Sequence, residues 1–413
     1  MENIVIKGSR KRALFFATLA FFIGFAGVSA YGPIVPILKK TLILSPFFMS
    51  LLVAAPSLTG SLLRIPFGAL TDKIGGKVPI LILIGLSMAG IAGMSWFGEG
   101  GSYGWLIALG MLAGCGIAIF SVGVPTIAYW YPQKSQGSVL AIYGGIGNAA
   151  PGIFALLLPL LITQYGFSIS YLIWLSMLLL GGSVLALFMH DAPSFQFKAN
   201  GHNVDHSYLL ANHGQELLPS GKAIASIKTA AVDWNTWVLT GIYFATFGGF
   251  IALTAWFPIF WTQSFGMSLV MAGTLTAAYS LSTSIIRVFG GFLADKFGGE
   301  RVLIAALVTM LIGSVVMILS GGFSVALTAE IVMASGMGAA NAAVFKLVPK
   351  FAPGTVGGSA GIVGGLGAFG GFMIPLVLGG FVSRFENAYT QAFAVFAILA
   401  VISIILLKTL RDR

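Results

Sequence analysis

Leu62-Leu-Arg-Ile-Pro-Phe-Gly-Ala-Leu-Thr-Asp-Lys-Ile-Gly-Gly-Lys77 and Ile285-Ile-Arg-Val-Phe-Gly-Gly-Phe-Leu-Ala-Asp-Lys-Phe-Gly-Gly-Glu300 are two copies of one sixteen-residue pattern. A single offset of 223 carries Arg64 onto Arg287, Asp72 onto Asp295, Lys73 onto Lys296, Gly75 onto Gly298 and Gly76 onto Gly299. A gap-free repeat at about half the chain length predicts two related halves. In each copy an arginine stands inside apolar sequence, eight residues before a charged, glycine-rich turn. Eight helical residues rise about 12 Å, and half a hydrocarbon core is about 15 Å. Both arginines are therefore expected near the middle of a membrane.

Composition agrees with that placement. Of 413 residues, 57% are hydrophobic and only 8% charged, against about 25% charged in a soluble domain. No soluble core hides so much apolar surface. The 55 glycines suit helices that approach closely in lipid. The single cysteine, Cys115, excludes an intramolecular disulfide. A basic start (Lys7, Arg10, Lys11, Arg12) leads into an apolar run too long for a signal peptide.

Apolar runs of spanning length fall at 13–38, 46–71, 78–98, 104–131, 137–163 and 169–190, then at 235–262, 268–294, 302–320, 323–348, 355–382 and 388–408. The expected fold is an all-α membrane protein with twelve transmembrane helices in two pseudo-symmetric six-helix bundles. The expected units are 1–190, a cytoplasmic linker at 191–234, and 235–413. With the N-terminus in the cytoplasm, seventeen Lys and Arg fall on the cytoplasmic side, among them Lys134, Lys222, Arg411 and Arg413. Only Lys39, Lys40 and Arg384 fall outside. This positive-inside bias puts both termini in the cytoplasm. It also accounts for the net charge of +10 without a nucleic-acid partner. The linker holds His202, His206 and His213. The first and second have helical spacing for a metal, but Asn200, Gly201 and Pro219 favour turns, so no metal site is expected.

Arg64 and Arg287 are the residues that ask for a function. A guanidinium in lipid faces a bundle interior, a cavity or a partner. Of twelve Asp and Glu, only Glu330 lies clearly within a predicted span. Two buried cations without buried anions want an anionic ligand, which the planar fork of Arg recognises edge-on. The bland reading is that each Arg snorkels to the surface or binds backbone carbonyls. Two equivalent arginines weaken it.

The turns at Gly68–Lys77 and Gly291–Arg301 resemble the loop motif of the major facilitator superfamily, which recurs after the second and eighth helices. That resemblance implies a gate between helix bundles, assigned here to Asp72, Lys73, Asp295 and Lys296. A charged tight turn would need the same glycines. Two glycine-rich stretches, Gly137–Gly152 and Gly354–Gly371, align at an offset of 217, with Gly144 on Gly361 and Asn148 on Gly365. They resemble the paired signature segments of the nitrate/nitrite porter family. Ile242–Phe250, Ile117–Phe120 and Asn341–Pro349 are similar to that family's patterns in helices seven, four and ten. The resemblance implies an anion clamped by Arg64 and Arg287 and sandwiched by Phe120 and Phe345. Tyr243 and Asn148 would add polar contacts, and Gly144 and Gly361 would let the helices rock. Nitrate suits such a flat slot, being small, planar and monovalent. Phe15 stands opposite Tyr243 in the repeat Leu14–Thr18 against Ile242–Thr246.

The expectation is an inner-membrane carrier of nitrate and nitrite, working by alternating access as a monomer in the bilayer, without cofactor. Antiport is favoured because a positive empty site resists reorientation. Proton symport through Glu330, a carrier of formate or another monocarboxylate, and a membrane sensor remain as alternatives. An enzyme is not expected, since no nucleophile–base pair or metal cluster stands out in the spans.

Overall fold

The computed structural model describes residues 6–98, 100–202, 205–219, 223–351, 356–385 and 388–410. Gly354, Lys222, Arg411 and Arg413 lie outside the described residues, as do the side chains of Lys40 and Lys134. Every element among the described residues is helical. Among the described residues, eleven helices are long and apolar enough to cross a membrane. The first six are Arg10–Lys39, Pro46–Ile74, Lys77–Phe97, Tyr103–Ala128, Val139–Tyr165 and Phe167–Phe188. The next five are Trp234–Phe265, Leu269–Phe297, Gly299–Ile318, Phe323–Phe351 and Gly358–Arg384. The shorter apolar helix Gln391–Leu407 completes twelve in two six-helix bundles.

Local chemistry sets the ends. Ser45 and Ser268 open the second and eighth helices by accepting from Phe48 N and Met271 N. Gly75 and Gly298 close these two helices with φ of 85° and 91°, which favours glycine strongly. The repeated Gly-Gly is thus a helix stop repeated at the same place in both halves. The third helix begins under Asp191, whose Oδ1 accepts from Gly76 N at 2.6 Å and Lys77 N at 3.0 Å. Burial pushes that carboxyl above its ordinary range, while the two N–H donors pull it down.

The segment between the sixth and seventh spans is more than a tether. It forms short helices at Pro193–Ala199, His206–His213 and Ala223–Ala231. Phe195 and Ala192 pack with Ala13, Tyr129 and Trp130 of the first half. Lys7 and Gln196 exchange two hydrogen bonds, of 2.9 and 2.7 Å. Arg10 donates to Gly214 O at 2.9 Å. His202 lies outside the helix that His206 begins, so the two do not share a helix face.

The halves are not packed evenly along their length. At the end away from the charged turns, a Cβ on Gly273 would meet Ala155 O at 2.3 Å. One on Gly152 would meet Ser280 Cβ at 2.6 Å, one on Gly145 would meet Val288 at 3.0 Å, and one on Gly144 would meet Arg287 at 3.8 Å. The second and eleventh helices open in the same direction. A Cβ on Gly379 would meet Ser50 Oγ at 2.1 Å, and one on Gly365 would meet Ile65 at 3.2 Å. One on Gly361 would meet nothing within 4 Å. The halves are therefore shut at the far end and splayed toward the charged turns. Lys39 Nζ to Gln263 Oε1 at 2.6 Å and Phe47 N to Ser383 Oγ at 3.0 Å add to the far-end closure.

Candidate anion site

The second helix breaks at Leu63, and Arg64 begins its second segment. The backbone stays in the helical region through Leu63, and the Arg64 side chain is 1% exposed. Arg64 Nη1 donates to Gly364 O at 2.7 Å. Its equivalent, Arg287, sits in an unbroken helix and is half-buried. The seventh helix carries a π-turn at Phe244–Gly248, a local irregularity often found at functional sites. Gly248 allows it, because a Cβ there would meet Gly370 Cα at 2.6 Å.

The π-turn carries Phe247, the ring that both arginines approach. The guanidinium carbons of Arg64 and Arg287 lie 5.3 and 5.4 Å from its ring centroid. Arg64 is also 5.1 Å from the Phe120 centroid. Tyr243 stacks on Phe247 at 4.8 Å and 12° and meets Phe345 edge-on at 5.0 Å. Phe120 and Phe345 are 6.5 Å apart at 73°. The parallel slot expected from the sequence is therefore absent in this arrangement, and the two rings meet edge to face. Tyr143 fixes Phe120, stacking on it at 5.8 Å and donating to Ile119 O and Phe120 O at 3.1 Å each.

Arg64, Arg287, Phe120, Phe345, Tyr243 and Gly144 thus come together. Asn148 stands one turn from Gly144, buried against the eighth helix, and its carbonyl accepts from Ser280 Oγ at 3.4 Å. Gly361 does not join them. Gly364 does, with a Cβ position 3.7 Å from Phe345 and 4.0 Å from Phe120. The pairs Gly144 with Arg287 and Gly364 with Arg64 show that the glycine helices match at an offset of 220, one helical turn from the register read in the sequence. Gly147 and Gly367 obey the same offset: their Cβ positions fall on the rings of Phe21 and Tyr243. Phe21, not Phe15, is the counterpart of Tyr243. Phe15 points outward, 61% exposed.

Polar atoms are left over at this centre. Arg64 Nε and Nη2, Arg287 Nη1, the Tyr243 hydroxyl and Asn148 Oδ1 are buried without a hydrogen bond of standard geometry among the described residues. The Tyr243 hydroxyl nevertheless lies beside the Arg287 guanidinium. Ion pairs among the described residues are Lys346–Asp295 and Lys350–Glu300, both near the charged turns. Two like charges therefore lie against the same Phe247 ring, with donors free for an anion. Buried donors of this kind cost stability unless something accepts from them.

The proposed gate residues sit at the splayed end. Asp72 Oδ1 accepts from the Tyr129 hydroxyl, and Asp295 pairs with Lys346. Lys296 lies over the ring of Phe297. Each carboxylate is held within its own half, so neither latches one half to the other here. Phe247, Gly364 and Tyr143 were missed as site residues. Phe247 and Tyr143 are next-turn or adjacent neighbours of Tyr243 and Gly144, and that spacing was the available signal.

Comparison with known proteins places this geometry. The sequence profile of the Major Facilitator Superfamily matches residues 17–372 and, in a second alignment, 239–413. The Probable nitrate transporter NarT of Staphylococcus epidermidis is 29% identical over 404 residues, covering 96% of this chain and 95% of the relative. The Probable nitrate/nitrite transporter NarK2 of Mycobacterium tuberculosis is 29% identical, covering 91% and 90%. The Nitrite extrusion protein of Bacillus subtilis is 30% identical, covering 87% and 84%. The xylose transporter XylE from E. coli shares the fold at a TM-score of 0.74 and 14% identity, covering 98% of each chain. A bacterial homolog of the human lysosomal transporter Spinster does so at 0.69 and 17%, covering 98% and 97%. The chain belongs to the Major Facilitator Superfamily, and within it to the nitrate/nitrite porter family.

Proposed function

We propose that this protein exchanges nitrate and nitrite across the bacterial plasma membrane, one anion moving in as another moves out. The observation that carries the reading is the pair of guanidinium groups against one ring, Phe247, with N–H donors unspent and no carboxylate paired to them among the described residues. Cations occupy ring faces, which carry the negative end of the quadrupole. Ring edges are positive, so an anion sits at the edges of Phe120 and Phe345 while the guanidinium forks meet its oxygens. Arg64 and Arg287 bind, Phe120 and Phe345 shape the slot, and Tyr243 and Asn148 orient the anion. Gly144 and Gly364 provide room against the arginines and rings.

In this reading residues 1–190 and 235–413 rock about the site, both termini face the cytoplasm, and the charged turns mark the cytoplasmic end. Asp72, Lys73, Asp295 and Lys296 then form cross-half contacts only when that end closes. The cluster of uncompensated positive charge resists reorientation until an anion neutralises it, which favours exchange over net uptake. One chain carries the whole pathway, so a monomer suffices.

The test is uptake of labelled nitrate into proteoliposomes, nitrite-loaded or empty, under imposed pH gradients. Exchange requires internal nitrite for accumulation. Accumulation in empty vesicles driven by a proton gradient would replace exchange with symport. Competition by formate but not nitrite would move the substrate to another small monocarboxylate.

A further inference from the structure

Glu330 is the buried charge that the anion site does not use. It is the eighth residue of the tenth span, counted from that helix's far end, and is 0% exposed. Neither carboxyl oxygen has a hydrogen bond of standard geometry among the described residues. The seventh span contributes Trp261, whose indole is turned toward the carboxyl. The eighth contributes Tyr279, the titratable group that faces it, whose hydroxyl is spent on Met337 Sδ at 2.9 Å. The ninth contributes apolar surface: Gly313, whose Cβ position meets Met333, and Met310. No ion pair reaches Glu330 among the described residues.

A carboxylate in that setting has no cation and, against the water it gave up, only the Trp261 indole N–H outside standard hydrogen-bond geometry, so the group carries a proton instead. The surroundings depend on the conformation. Trp261 and Tyr279 belong to the far-end halves of the seventh and eighth spans. The same stretches hold the closed far end, through Gln263 with Lys39 and Gly273 with Ala155. Separating the far ends would bring water to this aromatic wall, and a wetted carboxyl ionises at neutral pH.

We propose that Glu330 is a proton-binding site, occupied while the far ends are packed together and emptied to far-side water when they separate. The step is the dissociation of one proton from the carboxyl and its return before closure. Because the proton leaves and returns on one side, exchange carries no net proton. The rate of closing still depends on far-side pH, since an ionised Glu330 opposes burial. This rests on the two-arginine reading for its transport assay only.

The experiment uses the full chain in proteoliposomes of defined orientation, nitrite-loaded, with pH changed on one side at a time. Expected is a fall in nitrate exchange as far-side pH rises, by up to about tenfold per unit for one proton, and no response to the near side. Glu330→Gln should exchange at every pH at the rate of the acid-side wild type, and Glu330→Asp should keep the response. Infrared spectra of wild type at neutral pH should show a protonated-carboxyl band that Glu330→Gln lacks. A Gln variant that still responds to far-side pH overturns the proposal, as does absence of the band. If Glu330→Gln does not fold, the Asp variant and the wild-type spectrum decide. A wild type that shows the band but exchanges no nitrate strikes the anion reading, not proton occupancy.

Discussion

Arg64 Nη1 donates to Gly364 O at 2.7 Å, across 300 residues of sequence. The bond joins the second helix of one half to the eleventh of the other, at the depth of the anion site. Close approach of the two helices allows it: a Cβ on the neighbouring Gly365 would lie 3.2 Å from Ile65 and 3.8 Å from Arg64 Cβ. The arginine proposed to bind the anion therefore also joins the two halves. With Nε and Nη2 of Arg64 unspent, the same guanidinium can meet an anion and the Gly364 carbonyl at once, which links occupancy to the contact between the halves.

Arg64→Lys and Arg287→Lys keep the charge and lose the fork. A charge-assisted hydrogen bond is worth about 1.5–3 kcal/mol, so anion affinity is expected to fall roughly tenfold to more than a hundredfold in either variant. Arg64→Lys should also lower thermal stability, since it gives up the Gly364 bond, whereas Arg287→Lys should not. Nitrate titration and melting curves on the same preparations check both. Equal melting of the two variants would remove the structural role from Arg64.

Phe247→Leu removes the ring shared by the two guanidinium groups while keeping most of the volume. Two partly desolvated cation–π contacts of about 0.5–2 kcal/mol each are lost. Nitrate affinity should fall roughly tenfold or more, with the arginines splayed. Phe250→Leu, one turn away and not against an arginine, serves as the control. Equal affinities in the two variants would count against Phe247 as a platform.

Glycine substitutions test the register. Gly361→Ala meets open space and should change melting by less than the usual surface range of about 0.5 kcal/mol. Gly147→Ala drives a methyl to 1.9 Å from the Phe21 ring, an overpacking that costs about 1–3 kcal/mol. Transport should survive in the first and fail in the second. The reverse order would restore the register read from sequence.

Asp191 gives a pH dependence outside the membrane. Its carboxyl sits above the ordinary range because burial outweighs the donors from Gly76 and Lys77. The folded chain therefore holds this proton more tightly than the unfolded chain. Acid favours folding at this site, and the contribution disappears as pH rises through the elevated value. Asp191→Asn should reduce the difference in melting temperature between mildly acidic and neutral buffer. Asp191→Ala should lower stability by about 1–2 kcal/mol at either pH through loss of the cap.

Much of this was legible in the chain. Spans follow from apolar run length, because backbone groups in lipid must bond within their own helix. The repeat of Arg64 and Arg287 is a matter of spacing, and so are the glycines that stop both helices. The glycine helices were harder. Their residues repeat so densely that a shift of three leaves the alignment nearly as good, and only tertiary contacts, with Arg64, Arg287, Phe21 and Tyr243, distinguish 220 from 217. Phe247 was hidden for a related reason: among 33 phenylalanines, none is marked until a π-turn rotates one into place.

The sequence by itself determined the number of helices, the two-fold plan and the two intramembrane arginines, all consequences of hydropathy and local spacing. The tertiary structure alone decided which ring both arginines meet, which glycine meets each one, and that both charged turns are tied within their own halves. It also decided which end is shut. Such relations depend on how two separately folded helix bundles lean on each other, and no periodicity within one helix encodes that angle.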